Sequence, residues 1–170
     1  MQEIFILRHS QAEDTSEGQV KNDFDRKLTE EGKLKTKKIG LFFNSLEEDV
    51  NLVLSSPYLR AKETAEIFVD NLTPKPDLQI VDFLSCGAGS RDIAKGLLSY
   101  SSHKKLTLIG HAPDLEVFLG KLIGAERVKL KKGALAKVVL NNSIELAGEL
   151  AWLVTPKLIK SLKLKEKIKH

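Results

Sequence analysis

Residues 3–10 read Glu-Ile-Phe-Ile-Leu-Arg-His-Ser, and this stretch decides the fold. Residues 3–7 are mostly apolar and β-rich, which predicts a short strand. Arg8, His9 and Ser10 follow at once, with no turn residue between. A strand that ends on a cation and an imidazole delivers both at its C-terminal end. Two further runs have the same design. Residues 51–54 predict a strand ended by Ser55-Ser56-Pro57, with Arg60 just beyond. Residues 106–109 predict another, broken by Gly110-His111-Ala112-Pro113.

Helical patterns fill the intervals. Thr29 suits a helix cap, and Leu34, Ile39, Phe42, Phe43 and Leu46 then fall mostly on one face. Residues 58–72 predict a second helix with a stripe of Ala61, Ala65, Phe68, Val69 and Leu72, stopped by Thr73-Pro74-Lys75-Pro76. Residues 78–81 predict a strand and residues 82–89 a loop. Ser90 is the expected cap of a third helix that buries Ile93, Ala94, Leu97 and Leu98. Pro113 fits the first turn of a fourth, whose apolar face is Leu115, Phe118, Leu119, Leu122 and Ile123, closed by Gly124. Residues 135–140 and 150–154 predict two more strands. A basic tail follows from about residue 157, with Leu158, Ile159 and Leu162 expected to pack on the core.

Strands alternating with helices predict an α/β domain: a three-layer α/β/α sandwich around a mostly parallel sheet. The 170 residues, 42% of them hydrophobic, suit one domain over 1–170 with a single core. The net charge of +4 is mild, favouring an anionic ligand without indicating nucleic acid. Cys86 is the sole cysteine, so neither an internal disulfide nor a cysteine-based metal site is expected. No apolar run approaches a membrane span and no signal peptide is read at the start, which predicts a cytoplasmic protein without membrane partners.

In a parallel sheet all C-terminal strand ends share one edge, and ligands bind outside it. Arg8, His9, Arg60 and His111 should therefore meet at one rim. Arginine offers a planar fork of permanent donors that matches phosphate oxygens. A neutral imidazole nitrogen is a competent nucleophile toward phosphorus. The set points to phosphoryl transfer through a phosphohistidine. No metal and no other cofactor is expected, because two histidines lack a third ligand and the arginines repel a cation.

At these residues the chain resembles the histidine phosphatase, or phosphoglycerate mutase-like, superfamily. The segments that carry the likeness are IFILRHS, SSPYLRAKETAE and LIGHAPDLE. DRKLTEEG and DFLSCGAG extend it toward the small SixA-like phosphohistidine phosphatases. The resemblance implies that His9 is the phosphorylated nucleophile and that Arg8, Arg60 and a protonated His111 hold the phosphate. It makes Arg26 a further phosphate ligand. Asp82 becomes the candidate general acid by alignment on Cys86-Gly87, with Glu13, Asp14 and Asp25 as other carboxylates near the rim. Ser10 stands where the family usually has glycine, and Lys27 where it has proline, which should loosen that loop. The implied partner is a phosphorylated protein, such as a phosphotransfer domain, or a small phosphate ester. A non-catalytic phosphate-binding module is the alternative from another class. Cys86 reads as a small packed side chain, and Ser55 and Ser56 as residues that shape the turn.

Overall fold

The structure is a computed structural model, and it describes residues 1–15 and 22–162. Six strands form one sheet: β1 (Gln2–Arg8), β2 (Leu52–Ser55), β3 (Asp77–Ile80), β4 (Lys105–Gly110), β5 (Leu135–Asn142) and β6 (Ala147–Val154). Their order is β3-β2-β4-β1-β5-β6. The first four run parallel. β5 is antiparallel to β1 and to β6, so a hairpin completes one edge of an otherwise parallel sheet.

Among the described residues five α-helices cover the sheet: α1 (Glu30–Ser45), α2 (Leu59–Asp70), α3 (Gly89–Leu97), α4 (Asp114–Leu122) and α5 (Pro156–Ser161). On one face Phe5, Leu7, Val53 and Ile109 meet Ile39, Phe43, Phe68 and Ile159 from α1, α2 and α5. On the other, Ile4, Ile6, Leu54 and Leu108 meet Ile93, Leu97, Phe118 and Leu119 from α3 and α4. Residues 4–7 are 0% exposed, as a central strand covered on both faces requires. The expected three-layer α/β/α sandwich is the observed architecture.

Local chemistry sets the helix starts. Thr29 caps α1, its hydroxyl accepting the Gly32 N–H. Gly32 has no room for a side chain, because a Cβ there would lie 2.1 Å from the Gln11 carbonyl oxygen. That close approach presses α1 onto the segment after β1, where Ala12 bridges antiparallel to Leu28.

Several expected helix faces shift. Leu34 is exposed; it lies about 140° around the helix from Ile39, and Thr36 takes the buried place. Leu46 caps α1 and is also exposed, because the helix ends there. Ser90 does not cap α3; Ala88 precedes the helix, and Gly89, at φ +81°, makes the turn into it. Leu98 is exposed because the chain tightens into a 3-10 turn, Leu98–Tyr100, and rotates it away from Ile93 and Leu97. In α5, Ile159 alone is buried; Leu158 is about 100° away and Leu162 lies past the helix end. Of the tail lysines, Lys157 and Lys160 lie in α5, and those from Lys163 onward fall outside the described residues.

Candidate active site

The strand register builds the rim. Arg8 lies beside Gly110, and Ser55 beside Ile109. The ladder continues one step past the strands: His9 N–H donates to the Gly110 carbonyl at 3.0 Å and Ser56 N–H to the Ile109 carbonyl at 3.0 Å. His9, Ser56 and His111 therefore stand side by side at the C-terminal edge. The His9 and His111 rings are 5.2 Å apart at 55°. His9, His111 and Arg60 are 5%, 2% and 3% exposed, so three polar side chains share a nearly water-free corner.

His9 has a defined tautomer. Its Nδ1 is 2.7 Å from the Ser10 carbonyl oxygen, which can only accept, so Nδ1 carries the hydrogen. The lone pair is then on Nε2, where Arg60 Nε–H donates at 3.3 Å. Ser10 holds this arrangement from behind. Its N–H donates to Thr64 Oγ1 on α2, and its hydroxyl is 2.7 Å from Thr36 Oγ1 on α1. The serine in the glycine position thus ties the strand end to both helices.

Arg60 enters from the first turn of α2. Its Nη1 donates to the main-chain oxygen of Asp23 at 2.7 Å and its Nη2 to Asp23 Oδ2 at 3.1 Å. Asp23 lies in a short 3-10 turn, Asp23–Asp25. Its Oδ1 takes Arg26 Nη1 at 3.1 Å, while Arg26 Nε donates to the Glu13 carbonyl at 2.6 Å. Burial alone would raise the Asp23 pKa, yet hydrogen bonding to Arg26 and the charge of Arg60 hold it below its ordinary value. Arg8 reaches the rim from the other side, with Nη1 on the Leu130 carbonyl at 2.8 Å. Its Nε is buried without a protein partner. The Leu130 N–H is held in turn by Glu116 Oε1, a carboxylate 1% exposed.

His111 Nε2 sits 2.7 Å from Ser56 Oγ. That oxygen also accepts the Tyr58 N–H and keeps a second lone pair, so it can donate to Nε2 or accept from it. When it donates, the hydrogen of a neutral His111 is on Nδ1, which is buried with no protein partner. Tyr58 flanks the ring at 5.1 Å and lies under the Arg60 guanidinium at 5.1 Å. Burial, with Arg60 and Arg8 adding to it, lowers His111 to a pKa of about 3. Burial likewise pulls His9 to about 3, with His111, Arg60 and Arg8 adding to it against the Ser10 hydrogen bond. With no anion bound, burial thus favours the neutral form of both imidazoles, whereas the protonated His111 expected from the resemblance belongs to the phosphate-bound site.

Of the residues expected at the site, His9, Arg60 and His111 are in mutual contact or one residue apart, and Arg8 stands on the same strand end. Arg26 connects to them through Asp23. Asp82 is exposed at the start of the 3-10 turn Asp82–Leu84, and no hydrogen bond or ion pair joins it to the histidines or Arg60. The Lys27 N–H, which a proline would lack, donates to Glu13 Oε2 at 3.4 Å. Cys86 is exposed rather than packed. Asp23, Tyr58 and Glu116 were missed. Asp23 stands three residues before Arg26, but nothing in the loop's sequence fixes where its side chain goes. Among the described residues no three of His, Cys, Asp and Glu gather as a metal ion would need. No described helix is long and apolar enough to cross a membrane.

The chain belongs to the histidine phosphatase superfamily (branch 1), whose sequence profile matches residues 4–85. It is 32% identical over 120 residues to an uncharacterised protein of Picosynechococcus sp. (strain PCC 7002), a span of 66% of this chain and 68% of the relative. The fold is similar to that of the protein histidine phosphatase SixA complexed with tungstate, at TM-score 0.82 and 22% identity, covering 92% of this chain and 99% of that one. It is also similar to the alpha-ribazole phosphatase from Shigella flexneri, at TM-score 0.70 and 16% identity, covering 91% and 96%. Members of this superfamily are phosphatases, and this chain shares that class.

Proposed function

We propose that this protein is a phosphohistidine phosphatase in which His9 Nε2 takes the phosphoryl group and water removes it. The observation that carries the reading is the His9 tautomer: Nδ1–H is fixed on the Ser10 carbonyl, so Nε2 holds its lone pair at the rim. In the first step Nε2 attacks phosphorus while the bond to the substrate's leaving nitrogen breaks, and that imidazole departs neutral or takes a proton from water. In the second, water attacks phospho-His9, the P–Nε2 bond breaks, and inorganic phosphate leaves. Arg60 turns its Nε–H from the ring to a phosphoryl oxygen as the substrate enters. Arg8 Nε and His111 Nδ1, both buried without protein partners, supply further donors. The phosphate dianion would draw a proton onto His111 by opposing the cause that now keeps it neutral. The arginines provide the positive charge, so no step requires a metal ion.

A phosphoprotein substrate is supported by two features. Imidazole is a good leaving group, which fits a site where, among the described residues, the histidine rings bond to the Ser10 carbonyl, Ser56 Oγ and Arg60 Nε and to no carboxyl group. The near end-to-end overlap with SixA, itself a protein histidine phosphatase, leaves little chain for a roof over the site. The overlap with alpha-ribazole phosphatase favours a small phosphate ester as the second reading. Turnover on a phosphohistidine-bearing phosphotransfer domain should exceed that on small sugar phosphates by about 10²-fold in kcat/KM, the scale on which specific contacts discriminate. The reverse order would overturn the substrate assignment and leave the phosphatase reading intact.

A further inference from the structure

We propose that Asp23 is an internal competitor of phosphate: it holds the Arg60 fork until a phosphoryl group displaces it, and it reclaims the fork as phosphate departs. This rests on the reading above that Arg60 binds the phosphoryl oxygens. Asp23 presents two oxygens to one guanidinium, its carbonyl to Nη1 at 2.7 Å and its carboxylate to Nη2 at 3.1 Å. That is the paired acceptor geometry a phosphoryl group offers an arginine. The other carboxylate oxygen engages Arg26 at 3.1 Å, so one residue occupies both cations that entered the site from outside the β1 end.

The two partners differ in how firmly they are held. The Arg60 side chain is 4% exposed, fixed by His9 and stacked on Tyr58. The Asp23 side chain is 49% exposed on a three-residue turn. The pair thus joins a buried guanidinium to a half-exposed carboxylate, and the carboxylate is the partner that water or another anion can replace. When an anion arrives the guanidinium keeps its place on Tyr58, turning only its Nε–H from His9 to the anion, and the carboxylate yields. A phosphoryl group carries more charge and more oxygens than the carboxylate, and a substrate adds contacts of its own. Free phosphate lacks those contacts, so the returning carboxylate helps to clear the product.

The test is calorimetric titration of inorganic phosphate into the wild type, D23N, D23S and R60A at pH 7.5, with the inhibition constant for phosphate measured in turnover. D23N keeps the shape and removes the charge, and D23S also removes the reach. Both should bind phosphate about three- to tenfold more tightly and be inhibited by it correspondingly more, the scale of the exposed contacts removed. R60A should bind it at least about tenfold more weakly. Unchanged or weaker binding in D23N and D23S, with R60A weakened, would overturn the competitor role and leave the proposed function standing. Unchanged binding in R60A would remove Arg60 from the phosphate site and overturn both.

Discussion

The rim of this protein is made in two ways. His9, Arg60 and His111 arrive from strand ends and from the first turn of α2, and each is 5% exposed or less. Asp23 and Arg26 arrive from the loop before α1, with side chains 49% and 19% exposed. The first group is held by a ladder that runs past the strands, by the Ser10 and Ser56 hydrogen bonds and by the sheet beneath. The second is held mainly by its own ion pairs. The difference separates parts that must be preorganised for chemistry from a part that can exchange one anion for another.

Substituting one residue from each group would test that division. R60A should lower kcat/KM by about 10²–10³-fold, the scale of losing one preorganised donor from a dry site. R26A sits at the opposite end of the range. Its contacts run to the Glu13 carbonyl and to Asp23, so kcat/KM should change by no more than about two- to threefold. If R26A proved as damaging as R60A, the loop would be as fixed a part of the pocket as the strand ends.

Between them lies a pH effect that belongs to the strand-end group. Both histidines have folded-state values near 3, pulled below the ordinary 6.5 chiefly by burial. Between those limits the unfolded chain binds protons that the folded chain excludes. Stability from these groups is therefore full above about pH 6.5 and is lost as pH falls toward 3, by several kcal/mol at most. Denaturant unfolding of H111N should show a shallower loss between pH 6.5 and 4.5 than the wild type. An equal loss would mean that His111 does not titrate as its burial implies.

This division also explains what was legible in the sequence. Arg8, His9, Arg60 and His111 were readable because each follows a recognisable strand, and a parallel sheet converts chain order into a shared edge. The charge state of His111 was not, since it depends on burial and on neighbours brought from other strands. Asp23 was not, because a polar loop has no periodicity from which a side chain's direction can be inferred. Asp82 was placed by alignment on Cys86-Gly87, and its exposed position reflects the 3-10 turn that interrupts that loop. The helix faces misjudged at Leu34, Leu98, Leu158 and Leu162 lie off the stripe or at helix ends, where a 3.6-residue period stops describing the chain.

The central claim is that His9 Nε2 receives the phosphoryl group. Mass spectrometry of enzyme mixed with a phosphohistidine protein and quenched in alkaline denaturant reads this directly, with phosphorus NMR to identify the nitrogen. A single phosphoryl group on His9, on Nε2, and absent from H9N is the predicted result. Turnover with the phosphoryl group on Nδ1, on His111 or on no residue of the enzyme would contradict it.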